Sequence, residues 1–187
     1  VVLNKLFSYT QLQDTVGVIM LALVNGIPKV LTLKEMLEQY IDFQVDVITR
    51  RTKFDLNKAK EREHILKGLV IALDNIDEVI EIMKTSKNIP EAKQRLNQRF
   101  GLTDIQADHI ANMTLGRLTG MERQKIIDEL AEIEVKIADL EDILANHQRI
   151  LDIIIEEVEA IQDKFGDERR TQIENVSGEV DIEDLIP

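Results

Sequence analysis

The side chains that could do chemistry are few and scattered. His64, His109 and His147 lie far apart, with no metal-ligand spacing among them and no cysteine to join them. No glycine-rich loop is present to cradle a phosphate, and none of the three serines sits in a nucleophile elbow. Carboxylates are plentiful, but they recur at helical spacing, which marks a solvated face rather than a paired acid and base. The most suggestive cluster is Arg50-Arg51-Thr52-Lys53. Its guanidinium groups could touch a phosphate backbone, or they could pair with acidic residues of a neighbouring helix. The second reading is favoured, and Arg50 and Arg51 stay as the candidate DNA contacts. No catalytic, cofactor-binding or metal residue is assigned.

The elements that position these residues are more legible. From Thr119 onward an apolar seam runs through Ile126, Leu130, Ile133, Ile137, Leu140, Leu144, Leu151, Ile154, Val158, Ile161 and Phe165, with only His147 as a polar member. A period near 3.5 keeps one narrow stripe facing a partner helix, the mark of a coiled coil. Helix starts are spelled out by hydroxyl-to-carboxylate or hydroxyl-to-amide spacings at Thr32/Glu35, Thr103/Gln106 and Thr119/Glu122, and by Asn88 with Pro90 and Glu91. They give a first helix over 33–86 with Gly68 as its candidate bend, and short helices over 90–100 and 104–115. The second long helix runs over 121–165, with a weak point at Asn146-His147. Residues 1–31 read as extended, with Asn25-Gly26 as the turn of a hairpin and Pro28 on an edge strand.

Charge decides which helices pair. Arg50, Arg51, Lys53, Lys58, Lys60, Arg62 and Lys67 make the first helix basic, whereas Asp128, Glu129, Glu132, Glu134, Asp139, Glu141 and Asp142 make the second acidic. That contrast favours pairing within one chain, and connectivity makes it antiparallel. About 40 residues at roughly 1.5 Å each give an arm on the order of 60 Å. The expected fold is therefore mainly α: an antiparallel two-helix coiled-coil arm, a small all-helical globular head, and a short β-hairpin at its N-terminal base. The divisions are 1–31 for the hairpin segment, 32–67 and 121–165 for the arm, 68–120 for the head, and 166–187 for a tail.

Composition excludes several classes. Formal net charge is −12, which argues against this piece gripping nucleic acid through phosphates by itself. Aromatics are 4% of residues, too few to line a large aromatic pocket. The longest apolar run, near Val16 to Val24, is too short to span a bilayer, so no membrane partner is expected. Zero cysteine fits a reducing, cytoplasmic setting. The chain opens on Val-Val without a signal peptide, and reads as a piece of something longer. A head of roughly 50 residues seldom buries enough to stand alone, yet this one is strongly apolar. Ile110, Met113, Leu115, Leu118 and Met121 are accordingly the candidate two-fold interface with a second copy. The alternative is that they fill the head's own core.

Five stretches carry a resemblance. They are Phe7-Ser8-Tyr9-Thr10-Gln11-Leu12-Gln13, Arg50-Arg51-Thr52-Lys53-Phe54-Asp55-Leu56, Arg117-Leu118-Thr119-Gly120-Met121-Glu122, Phe165-Gly166-Asp167-Glu168-Arg169-Arg170-Thr171 and Asp181-Ile182-Glu183-Asp184-Leu185-Ile186-Pro187. In this order they resemble the family of DNA gyrase A subunits, which are bacterial type IIA topoisomerases; the topoisomerase IV A subunit is the close relative. The resemblance implies the coiled-coil arm and exit-gate (C-gate) dimerisation head of an ATP-dependent enzyme that introduces negative supercoils by passing one duplex through another. It implies the end of a tower domain in 1–31 and a tail leading towards a DNA-wrapping domain. ATP and Mg2+ would belong to the holoenzyme, none to this piece. The gyrase B subunit and double-stranded DNA would be partners beside the homodimer.

The family's nucleophilic tyrosine stands in an Arg-Tyr-Thr context, whereas Tyr9 follows Ser8 and Tyr40 follows Gln39. Neither inherits the role, and the piece alone should be inactive. Met113-Thr114-Leu115 stands where the family usually reads Met-Arg-Leu, so a salt bridge across the head is in doubt. Rival readings are a structural coiled-coil adaptor and an RNA-binding helical arm; the second would need a basic face where the second helix is acidic.

Overall fold

The computed structural model describes residues 2–12, 14–113 and 120–173, with the side chains of Asn4, Met121 and Glu122 left undescribed. The chain divides into two compact units, 1–43 with 157–187, and 44–156.

In the first unit the chain opens with a helix, α1 (Val2–Tyr9), where extended structure was expected. Leu3, Leu6 and Phe7 are spaced to share one face of a helical turn, and that period overrides the β-forming look of the segment. The hairpin follows as expected. β1 (Met20–Val24) pairs antiparallel with β2 (Ile27–Leu31), with Val24 opposite Ile27 and Leu23 opposite Pro28. Asn25 and Gly26 take φ of 52° and 79°, the left-handed values that a two-residue hairpin turn demands. Val24 and Ile27 close that turn as a hydrogen-bonded pair, so the next pair, Leu23 and Pro28, is non-hydrogen-bonded. Pro28 thus sits where the ladder asks for no N–H. Thr32 then opens α2 (Leu33–Asp74): its N–H donates to Glu35 Oε2 at 2.7 Å, and the Glu35 N–H returns to Thr32 Oγ1 at 3.3 Å. The Thr32 N–H bond, joined by the Thr32 hydroxyl donating to the same oxygen at 2.8 Å, holds the Glu35 carboxyl below its usual pKa.

In the second unit α2 runs straight through Gly68 and ends at Asn75. The expected bend is therefore displaced by about seven residues, and the single 33–86 helix is two. Asn75 turns the chain because its side-chain amide donates to Ile71 O at 2.9 Å, replacing a backbone bond. The head is built from α3 (Ile76–Thr85), α4 (Ile89–Phe100) and α5 (Asp104–Ala111). Asn88 caps α4 by accepting from the Glu91 N–H at 2.9 Å, Gly101 closes it, and Thr103 with Gln106 forms the expected box on α5. α5 stops at Ala111 rather than 115, where the Asn112 side chain donates to Asp108 O. The head core is Ala72, Val79, Ile82, Leu96, Leu102, Ala107 and Ile110.

The return helix is interrupted where the sequence is weakest, giving α6 (Gly120–Ala145) and α7 (His147–Phe165). α2 packs on α6, and a second apolar cluster joins Ile48 of α2 to Ile143, Ile150 and Ile154. Ion pairs fix the direction: Lys60 meets Glu141 at 2.6 Å, Lys67 reaches Glu134 at 3.6 Å, and Arg123 pairs with Asp74. Numbers rise along α2 as they fall along α6, so the pair is antiparallel. Thr52 and Ala59 are small buried members of the α2 face, which lets the backbones approach. The seam is covered as far as Ile154; Val158, Ile161 and Phe165 are exposed, Phe165 by 70%. No helix among the described residues is long and apolar enough to cross a membrane.

Candidate functional site

The head and the helix pair that carries it are tied by one polar cluster that sequence reading missed. Gly68 lies in mid-helix, and a Cβ there would stand 2.7 Å from Gln106 Cγ and 2.8 Å from Gln106 Cβ. The missing side chain is a docking notch. Through it Gln106, 7% exposed, donates from Nε2 to the His64 carbonyl at 2.7 Å. Its Oε1 accepts from the Thr103 N–H at 3.0 Å, and Thr103 Oγ1 lies 2.7 Å from His64 Nε2. One glutamine thus caps α5 and bolts that helix to α2. The capping box was legible; the partner across 42 residues was not, and Gly68 looked like a bend.

Around this cluster the head is braced by charge. Lys93 pairs with Asp108, holding that carboxyl below its usual pKa, and Arg99 pairs with Glu78. Arg95 donates to Thr85 Oγ1 and Ser86 Oγ, fastening α4 to the end of α3. On the helix pair, Arg62 grips Glu129 with two bonds of 2.7 and 2.8 Å. That fork lowers the Glu129 pKa and raises that of Arg62.

The candidate interface residues divide. Ile110 is 3% exposed and belongs to the head core of the single chain. Met113 is half-buried after α5. Leu115 and Leu118, the Thr119 cap and the Thr114 departure lie outside the described residues, as do the side chain of Met121 and the tail beyond 173. Arg50 pairs with Asp46 of its own helix at 2.8 Å, not with the acidic helix as expected, and Arg51 is exposed. Basic residues that cross to the acidic helix include Lys60, Arg62 and Lys67.

Chemistry is not assembled anywhere in the described residues. No group of three His, Asp or Glu side chains could hold a metal there. His147 is exposed and His64 is engaged by Thr103. Open clefts on the head include one of about 570 Å³ between α4 and α5, bordered by Lys93, Ile105, Asp108 and His109. Its two carboxylates are already engaged, Asp104 by the Asn97 amide and Asp108 by Lys93.

The second unit is thus an antiparallel helix pair bearing a small braced head. The family model for the A subunit of DNA gyrase/topoisomerase IV matches residues 1–159, and the chain belongs to that family. Its relatives include the DNA gyrase A subunit of Clostridium acetobutylicum, 53% identical over 186 residues, and that of Mycolicibacterium smegmatis, 50% identical over 186 residues. The Mycobacterium tuberculosis protein is 49% identical over the same length. Each match takes in 100% of this chain and 22% of the relative, so the chain spans about a fifth of the proteins it resembles.

Proposed function

We propose that this chain is the exit-gate arm and dimerisation head of a DNA gyrase A subunit. The observation that carries the proposal is the family match over residues 1–159, which takes in the whole helix pair and the head it bears. In the whole protein, the arm would hold two copies together while a duplex is cut elsewhere, then part at the head to release the transported duplex. Negative supercoiling, ATP and Mg2+ use, DNA and the gyrase B subunit belong to that larger assembly. The similarity to DNA gyrase A subunits favours gyrase over topoisomerase IV.

The head suits the role because its described residues bury a core of their own, so a second copy could leave without exposing those side chains. With Ile110 committed to that core, the self-association surface falls to Met113, Leu115, Leu118 and Met121. Sedimentation equilibrium of the 187-residue chain should show a dimer, and Leu115→Glu with Leu118→Glu should give helical monomers. A persistent dimer in the double variant would overturn the assignment of the surface. A monomeric parent chain would favour a plain structural arm.

A further inference from the structure

The interruption between α6 and α7 is the one place where the return helix lacks continuity, while α2 opposite it is unbroken. Asn146 manages the break. Its N–H still donates to Asp142 O at 3.0 Å, its carbonyl accepts from the Arg149 N–H at 3.1 Å, and its side-chain oxygen accepts from the Gln148 N–H at 3.1 Å. Both ends are therefore capped, and the joint is a stable alternative to continuous helix rather than a frayed defect. His147 falls in the joint and leaves the seam to solvent.

Two groups of contacts cross the joint. On the inner side Ile143 and Ile150 are both buried in the cluster with Ile48. On the other, the Arg149 guanidinium donates to Asp139 Oδ1 at 2.8 Å and to Asp142 Oδ2 at 2.5 Å. One cation on α7 is thus strapped to two carboxylates a turn apart on α6. All three side chains are substantially exposed, so solvent and salt can reach them.

Geometry gives this strap a task. When two helices with axes roughly 10 Å apart bend together by about 10°, their path lengths must differ by about 2 Å, slightly more than the roughly 1.5 Å rise of one residue. A continuous helix resists that change; a capped interruption can absorb it. We propose that the Asn146 joint is a hinge latched by Arg149: with the strap closed α6 and α7 hold one alignment, and with it released the pair bends at this point. The device stands on this chain's own geometry and does not require the gate assignment.

The cysteine-free sequence makes a direct test available. Spin labels at Glu132→Cys and Glu156→Cys, on exposed positions either side of the joint, should lie on the order of 36 Å apart for helical rise across about 24 residues. Labelled protein is diluted with unlabelled chain so that only distances within one chain are read. The parent should give one narrow distribution. Arg149→Gln should broaden it towards shorter distances while helical circular dichroism is retained, and Arg149→Lys should fall between. Raising salt on the parent, which needs no substitution at the strap, should reproduce the broadening. Unchanged distributions for Arg149→Gln and for the parent at high salt would overturn the latch.

Discussion

Replacing Gly68 by alanine tests the docking notch, because two well-founded effects oppose each other there. Glycine in mid-helix is worth about 1 kcal/mol less than alanine, so on helix propensity alone Gly68→Ala should stabilise the protein. The new Cβ, however, would stand 2.7, 2.8 and 3.0 Å from Gln106 Cγ, Cβ and Cδ. Gln106 is not a free end that can swing aside, since both of its polar atoms are engaged. Overpacking of this kind costs about 1–3 kcal/mol, and each hydrogen bond given up costs about 0.5–1.5 kcal/mol more. At the middle of those ranges, with one or both bonds given up, subtracting the propensity gain leaves a net loss of about 2–3 kcal/mol. That corresponds to a fall in Tm of roughly 5–10 °C for a chain of this size. Urea or thermal unfolding followed by circular dichroism reads it. In a Gln106→Ala background the penalty should shrink without vanishing, because the Cβ–Cβ approach remains. An unchanged or raised Tm for Gly68→Ala would refute the notch and restore Gly68 as an ordinary helix residue.

Two further outcomes follow from the packing and the charges. Leu96 is fully buried at the centre of the head core, so Leu96→Ala should cost about 2–5 kcal/mol in urea unfolding, the range for an incompletely collapsing cavity. The lowered pKa of Glu129 comes chiefly from its hydrogen bonds to Arg62, so its contribution to stability is complete above the ordinary value of 4.5 and is lost as pH falls through the depressed folded value. Both side chains are partly exposed, which limits the pair to about 0.2–1 kcal/mol. Tm measured from neutral pH into that acidic window should fall less steeply for Arg62→Gln than for the parent, and equal slopes would show that the pair contributes nothing.

Much of the fold was written in local chemistry. The boxes at Thr32 and Thr103, the Asn88 cap and the turn at Asn25-Gly26 were legible because each is settled within four residues. The joint at Asn146 was legible for the same reason. What sequence reading missed depends on distant partners. Nothing near Gly68 says that Gln106 will occupy the space of its absent side chain. Nothing near Ile110 says whether its burial comes from the same chain or from a second copy. α1 was misread because three apolar residues at helical spacing are a short signal against a β-forming background. Arg50 was misassigned because Asp46, one turn behind it, competes with every acid on the facing helix and needs no long-range register.

The pairing of α2 with α6 separates what stabilises this fold from what specifies it. Apolar burial along the pair is modest: Thr52 and Ala59 stand among the buried positions of α2, and the clusters at Ile48 and at the head are widely separated. The crossing ion pairs are exposed and individually weak. Their value lies in the arrangements they disfavour. Two copies of α6 laid together would bring Glu129, Glu134 and Glu141 into an acidic excess that Arg123, Lys125 and Lys136 of that helix are too few to balance. A slipped register would separate the Arg62–Glu129 fork and leave both groups partly desolvated without a partner. Segregated charge therefore selects the antiparallel, intrachain pair from alternatives that an apolar stripe alone would accept equally.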